Sequence, residues 1–380
     1  MKILFIAYYL PPFAGVGQFR AAKFLKFLSK DESIENLDVI TVEDKYYDRV
    51  CSDKLDIGSN VNVIKTKISS ALKNVINEEG IFWLPYLFPK LIKMLFNNKY
   101  DAIYVNGNPF FHIPFVVILG RLFGVKVIVD YRDPWFLSPY RKFDGLKGTV
   151  ISCLEKITVN LSSFLINVTQ SATQMHKEKY SDYAEKFKTI ENGFDDDDFN
   201  FLTHFKKRDD KLRVVYSGKF SDFRNPEEFI RALSNVKESF DFLHVGSQED
   251  SVIELVKKYD IQDIYTCTGY VSYANAVEAM RSADIGLIIS GGHPYEPTTK
   301  IFDYIALGLK KLVVTDNIDK GFLYESLNND SSSRICKNSR DEILESLVFL
   351  AKNDLYQNDK LKVRFSRKEQ SKQLMSVFNE

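Results

Sequence analysis

The stretch Asp284–Gly308 limits the fold most. Asp284–Ser290 (DIGLIIS) is a run of apolar residues that reads as a strand buried on both faces, as in a parallel sheet. A Gly291-Gly292 turn follows, and then Glu296–Gly308 (EPTTKIFDYIALG), in which Pro297-Thr298-Thr299 opens a helix. Proline suits a first helical turn and threonine serves as an N-cap. Ile301, Tyr304, Ile305 and Leu309 then fall on one helical face. A helix N-terminus at the carboxyl end of a buried strand is an anion site, because its first amides have no intrahelical acceptor. Asp303, one turn further in, is spaced to accept hydrogen bonds from two neighbouring hydroxyls. Phosphate at the helix mouth with a vicinal diol below it is how a nucleoside diphosphate would sit. The plainer reading, an ordinary strand–loop–helix unit with a surface Asp, stands beside it.

The same alternation runs through the chain twice. In the first half, apolar runs at Lys2–Tyr9, Leu37–Val42, Val61–Lys65, Ala102–Asn106, Val125–Asp130, Phe164–Val168 and Phe187–Ile190 predict strands, with helical stretches between most of them. A charge-dense interval near residues 196–210 reads as a linker. A second series then begins, with strands predicted at Arg213–Ser217, Phe242–Val245, Tyr265–Thr268, Ile285–Ile289 and Leu312–Thr315. Helices at Pro226–Ser234 and Tyr273–Ser282 belong to it. The fold class is therefore α/β, with two Rossmann-like doubly wound domains expected to face each other across a cleft. The expected boundaries are 1–197, a linker over 198–211, 212–360, and a C-terminal helix over 361–380 that returns to the first domain.

Ligands of such sheets lie beyond the carboxyl ends of the strands, so the loops there are candidates. After the first strand come Gly15 and Gly17, which allow close backbone approach, followed by a helix at Gln18–Leu28. No third glycine completes a dinucleotide fingerprint, which argues against a nicotinamide cofactor. Arg20 stands in the first turn of that helix, where a cation opposes the helix dipole, so an anionic partner is one reading and a solvated side chain the other. Asn106–Pro109, Asp130–Trp135 (DYRDPW) and Asn192–Asp195 follow later strands. The second of these packs two carboxylates, a guanidinium and an indole into six residues, unless it is a surface ion-pair cluster. In the second half, Lys219 and Arg224 flank a loop after the first strand, where two cations could pair with a diphosphate or simply be solvated.

Composition narrows the classes. Apolar residues make up 45% of the 380, and 51 basic residues balance 51 acidic ones, which excludes a disordered chain and argues against a nucleic-acid binder. Cys51, Cys153, Cys267 and Cys336 are scattered without metal-ligand spacing, so they read as reduced thiols, and no metal is expected. No signal peptide or spanning segment is apparent, and a cytoplasmic protein is expected. Ile81–Phe96 (IFWLPYLFPKLIKMLF) is apolar and aromatic, broken by two prolines, and too short to span. It reads either as core packing or as a patch meeting the inner face of a membrane or a lipid-linked substrate.

Taken in order, the motifs resemble those of the family 4 glycosyltransferases, which have the GT-B fold and retain anomeric configuration. PPFAGVGQFRAAKFLKFL is similar to the Gly-rich first loop and helix of a bacterial polysaccharide-biosynthesis subgroup, and VIVDYRDPW to its strand and loop. TIENGFDDDDF, YSGKFSDFRNP and TTKIFDYIALG are similar to the segment before the linker, the donor-phosphate loop and the ribose-binding helix. The resemblance covers nearly the whole chain. It implies that Lys219 and Arg224 hold the diphosphate of a nucleotide sugar, in an order exchanged from the usual Arg-then-Lys. It places Asp303 where the family has a ribose-binding Glu, and Tyr295 at the family's other Glu, with Glu296 as its replacement one residue on. Gly15, Gly17, Thr298, Thr299 and Lys300 complete the implied donor set. Arg132 stands where many members carry His, and Asp133 is the candidate to touch the donor or acceptor sugar. Asn108, Asp130 and Trp135 are candidate acceptor or sugar contacts.

The implied reaction is retaining transfer to a glycan or lipid-linked glycan in capsule or O-antigen synthesis. Lys219, Arg224 and the amides of Thr298–Lys300 would meet the charge on the leaving diphosphate, Arg132 and Asp133 would complete the catalytic set, and domain closure would assemble the site. No metal, cofactor or nucleic acid is called for. A nucleotide-sugar epimerase of the same architecture and a non-catalytic sugar- or nucleotide-binding protein are the alternatives.

Overall fold

The computed structural model describes residues 1–15, 17–51, 55–138, 141–200, 211–291 and 298–380. The chain forms two compact units, Met1–Glu191 with Arg367–Glu380, and Asn192–Ser366. Most of the expected linker, residues 201–210, lies outside the described residues.

The first unit holds seven strands: β1 (Lys2–Ile6), β2 (Asn36–Val42), β3 (Val61–Thr66), β4 (Ala102–Gly107), β5 (Lys126–Tyr131), β6 (Phe164–Asn167) and β7 (Phe187–Thr189). They lie parallel in the order β3-β2-β1-β4-β5-β6-β7. Its helices are α1 (Gly17–Leu28), α2 (Ser70–Lys73), α3 (Glu79–Asn97), α4 (Ile113–Leu122), α5 (Gly145–Leu161) and α6 (Gln170–Lys179). Successive residues of β1 feed opposite cores. Leu4 and Ile6 pack with Trp83, Leu87 and Leu91 of α3, Val116 of α4 and Ile151 of α5. Ile3 and Phe5 pack with Phe24 and Leu25 of α1 and with Leu374 and Phe378 near the C-terminus. Burial on both faces is why these strands read as unbroken apolar runs.

The second unit repeats the plan with six parallel strands: β8 (Leu212–Ser217), β9 (Phe240–Val245), β10 (Tyr265–Cys267), β11 (Ile285–Ile289), β12 (Lys310–Val314) and β13 (Ser333–Cys336). Their order is β10-β9-β8-β11-β12-β13. Helices α7 (Glu227–Ser234), α8 (Asp250–Lys258) and α12 (Arg340–Lys352) cover one face. Helices α9 (Tyr273–Arg281), α10 (Lys300–Leu307), α11 (Phe322–Leu327) and α13 (Asp359–Arg364) cover the other.

Three differences from the sequence-based expectation have physical causes. Pro85 and Pro89 do not break the Ile81–Phe96 stretch, which lies within the single helix α3. Both prolines sit on its exposed side, where the carbonyls they leave unpaired can bond water. The inner face is held by buried Phe82, Trp83, Leu87, Leu91, Met94 and Leu95, and Trp83 Nε1 donates to Thr66 Oγ1 at 2.8 Å. Strand β13 was missed because Ser333, Arg334 and Ile335 are only half-buried at a sheet edge. The C-terminal stretch is two helices, α13 and α14 (Arg367–Asn379), interrupted at Phe365-Ser366. Phe365 is fully buried against Phe302 and Phe322, which keeps α13 in the second unit, while α14 packs on α1 in the first.

Each sheet reverses strand order once, between β1 and β4 in the first unit and between β8 and β11 in the second. A crevice forms at such a point, because the helices on either side diverge. In the second unit Tyr304 of α10 fills its base. Its hydroxyl accepts from Ser217 N at 3.1 Å and lies 3.2 Å from the carbonyl oxygens of both Val215 and Leu287. Gly286 makes room for the ring, since a Cβ there would lie 2.3 Å from Tyr304 Cδ2. Tyr304→Phe would leave the Ser217 amide without its buried acceptor, at a cost of about 1–3 kcal/mol. Denaturant unfolding should show that loss, and an unchanged midpoint would mean the phenol does not anchor α10.

Candidate functional site

The second unit gathers most of the predicted donor residues at its crevice. Strand β8 ends at Ser217, and Gly218 follows with φ +109°, a conformation open to glycine. A Cβ on Gly218 would sit 3.3 Å from Lys300 Cε and 3.4 Å from its Nζ. The Lys300 ammonium also lies 4.7 Å from the Tyr216 ring centroid. Lys300 therefore brings a cation, as well as its first-turn amide, to the place where β8 ends. Thr298 is buried and Thr299 is the N-cap residue of α10, with no capping bond from its side chain. The first-turn amides of α10 thus share the crevice with a lysine.

The loop after β8 folds back on itself. Ser221 and Arg224 form an antiparallel bridge, and Arg224 N donates to Ser221 O at 2.7 Å. Phe223 of this loop lies against the exit of β11, with its Cβ 3.2 Å from where a Cβ on Gly291 would be. Arg224 is half-buried and Lys219 is exposed. The Lys219 carbonyl accepts from Tyr216 OH at 3.1 Å, and the Tyr216 and Phe220 rings stack at 3.9 Å. Tyr295 and Glu296 lie outside the described residues, so the proposed one-residue replacement falls there too.

Asp303 is half-buried on α10 and accepts from Tyr273 OH of α9 at 2.8 Å. Burial pushes its carboxyl from an ordinary 3.8 up to about 7, with Tyr273 and Lys300 opposing the rise and Asp198 adding to it. Its acceptor capacity consequently changes near neutral pH. Tyr273 was not singled out by sequence reasoning, because a helix-initial Tyr after Ser272 carries no local sign of its partner.

His244 was also missed. It is the penultimate residue of β9, fully buried, with Nε2 2.9 Å from Gly218 O and Nδ1 3.1 Å from Tyr265 OH. Burial holds its pKa below the ordinary value, partly offset by the Gly218 contact and Glu249 and reinforced by Lys300. A neutral imidazole therefore supports the Gly218 turn from behind. A histidine inside the apolar run FDFLHV was the available signal.

The first unit presents a second group of residues at its own crevice. An open cavity of about 670 Å³ is lined by Tyr9 after β1 and Asn108 after β4, together with Glu78, Glu79, Arg141 and Lys147. Tyr9 OH donates to Glu79 Oε1 at 3.3 Å, and its ring stacks on Phe13 at 4.2 Å. Arg132 and Asp133 pair at 3.1 Å, and Arg132 Nη1 lies 3.1 Å from where a Cβ on Gly17 would be. The structure thus joins Arg132 to the Gly-rich loop. Gly15 sits against the Phe13 ring, where a Cβ would meet Cε1 at 2.6 Å.

Two predicted sugar contacts are placed in the interior instead. Asp130 is fully buried, binds Arg20 Nε at 2.7 Å and accepts from Tyr104 OH. The Arg20 guanidinium also donates to the carbonyls of Glu191 and Ile190, both at 2.9 Å. This answers the question of why a cation stands in the first turn of α1: its partner is a buried carboxylate of the same unit. Trp135 is 1% exposed, parallel to Phe110 at 5.6 Å and edge-on to Phe111. In this arrangement neither Asp130 nor Trp135 offers a surface to solute, whereas Asn108 does line the cavity.

All four cysteines are free thiols. Among the described residues no group of three or more His, Cys, Asp or Glu is arranged to hold a metal ion.

Comparison with known proteins places the architecture. No protein-family model matches the chain, and no curated protein matches it in sequence. Solved structures do match. HepE from Anabaena in complex with UDP superposes with TM-score 0.67 at 14% identity, over 100% of both chains. Sucrose-phosphate synthase from Thermosynechococcus elongatus gives 0.68 at 13% identity, over 100% of this chain and 98% of that one. UDP-GlcNAc 2-epimerase from Neisseria meningitidis bound to UDP-GlcNAc gives 0.61 at 14% identity, over 100% of both. The chain accordingly has the GT-B fold, two parallel-sheet α/β units of the kind found in these glycosyltransferases and epimerases.

Proposed function

We propose that the protein is a retaining glycosyltransferase that moves a sugar from a nucleoside-diphosphate sugar to a glycan or lipid-linked glycan in cell-envelope polysaccharide synthesis. The observation that carries the donor half of this reading is the meeting of Lys300, Gly218 and the α10 N-terminus at the crevice of the second unit. A diphosphate there would take charge-assisted hydrogen bonds from Lys300 and the first-turn amides. Arg224, on the loop folded against the β11 exit, would supply a second cation, and Lys219 a more exposed third. Asp303, one turn inside α10, would accept the two ribose hydroxyls. These groups also answer what the chemistry needs, because negative charge grows on the leaving phosphate as the glycosidic bond breaks.

The acceptor half rests on the cavity of the first unit. Glu78 and Glu79 can accept from sugar hydroxyls, while Arg141 and Lys147 can meet an anionic group on the acceptor. Arg132 and Asp133 are the proposed catalytic contacts of that unit. Arg132 would orient the sugar through its planar fork of N–H donors rather than act as a base.

An epimerase reading is kept open by one observation, the similarity to UDP-GlcNAc 2-epimerases. Incubation of the protein with donor alone separates the two: an epimer in the product mixture supports the alternative, and release of nucleotide dependent on an added glycan supports transfer.

Two outcomes follow for the donor site. Lys300→Ala and Arg224→Ala should each weaken binding of a nucleoside diphosphate by about 10- to 100-fold, the loss of one charge-assisted hydrogen bond, in titration calorimetry. Unaltered affinity in both would place the diphosphate elsewhere. Since the Asp303 carboxylate accepts better when ionised, and its folded pKa is about 7, nucleotide affinity should rise as pH climbs through that value. Asp303→Asn should remove the part of the profile that this carboxyl contributes, and a profile unchanged from wild type would remove Asp303 from the ribose site.

A further inference from the structure

The helices α3, α4 and α5 form one layer over the first sheet, sharing a core on their inner faces. Their outer faces have an uncommon composition. Phe96 at the end of α3 is 76% exposed and Leu122 at the end of α4 is 74% exposed. Tyr86 on α3, Phe115 on α4, and Val150 and Ile157 on α5 are exposed as well. The surface is continuous: the Phe96 ring meets Phe123, just after α4, at 4.9 Å, and α4 lies against α5.

The exposed charged side chains within these three helices are basic, while the N-cap residues of α3 and α5 are Glu78 and Asp144, and Glu78 pairs with Lys147 at 3.4 Å. Lys93, Arg121, Lys147 and Lys156 are exposed. The carboxylates on the three helices are Glu79 and Glu155. Glu79 is half-buried with Tyr9, while Glu155 is fully buried and accepts from Phe136 N and Tyr180 OH. In a chain where 51 basic residues balance 51 acidic ones, an outer face with exposed cations and no exposed carboxylate on its three helices is a segregation of charge. No helix among the described residues is long and apolar enough to cross a membrane.

We propose that the outer face of α3, α4 and α5 binds the surface of an anionic phospholipid bilayer. The aromatic and aliphatic side chains would enter the boundary between headgroups and acyl chains. Lys93, Lys156 and Arg121 would reach lipid phosphates while their stems stay among the apolar groups. Each cation near an anionic surface strengthens binding roughly fivefold. Such an attachment does not require the transfer reaction. It gives the acceptor cavity a lipid-side neighbour, since Glu79 and Lys147, which line it, lie in the first turns of α3 and α5.

Sedimentation of the full chain with vesicles tests this, using phosphatidylcholine alone and phosphatidylcholine mixed with phosphatidylglycerol. The wild type should bind the mixed vesicles, bind the neutral ones far less, and release as salt rises. The double variants Phe96→Ser/Leu122→Ser and Lys93→Glu/Arg121→Glu should each bind at least about tenfold more weakly. Both should keep the wild-type thermal shift with UDP, which shows that they fold and keeps this result separate from the donor-site reading. Failure of the wild type to bind mixed vesicles, or equal binding by the wild type and both variants, overturns the proposal. So does a dimer in light scattering that Phe96→Ser/Leu122→Ser abolishes while vesicle binding is absent, because the face would then belong to a second copy of the chain.

Discussion

Everything proposed for the second unit depends on one buried hydroxyl. Tyr304 reaches from α10 to where β8 and β11 part and bonds the backbone of both. Two residue pairs set the register of those strands, Ile285 with Val214 and Gly286 with Val215, so the ladder is short where the order reverses. The phenol substitutes for the missing rungs. It also sets the height and direction of α10, and therefore where the first-turn amides, Lys300 and Asp303 stand. Gly286 is part of the same device, because any side chain there would displace the ring.

The first unit is organised by a charge pair instead. Arg20 and Asp130 meet in the interior at 2.7 Å, and the guanidinium also bonds the chain leaving β7. Two desolvated charges are tolerable because each has further hydrogen-bond partners, including Tyr104 OH on Asp130. The pair fixes α1, and with it the Gly-rich loop, against the end of β5. Arg132 and Asp133 lie just beyond, on the loop that follows, so a buried pair with no access to solute still positions two residues that have it.

The sequence made the architecture legible because burial on both faces forces apolar runs, and parallel strands force intervening helices. The position of α10 after β11 was equally legible, from Thr299 and a helical apolar face; the helix starts at Lys300, and Pro297 lies outside the described residues. What was hidden depended on partners distant in sequence. Asp130 stood in an apolar strand and Arg20 in a mostly apolar helix, more than a hundred residues apart, and only the fold shows that they neutralise each other. Read locally, each resembled a ligand contact. Trp135 was misread for the same reason: an indole in a polar loop attracts attention, yet Phe110 and Phe111 enclose it. Tyr304 counted merely as one apolar position on a helix, since its hydrogen bonds go to strands 17 and 89 residues away.

The most direct measurement is amide hydrogen exchange of the whole chain with and without UDP. If the crevice of the second unit receives the diphosphate, exchange should slow at Thr298–Phe302 and at Gly218–Phe220, with far smaller changes around Arg132 in the first unit. Protection confined to the first unit, or none in α10 at saturating UDP, would contradict the account.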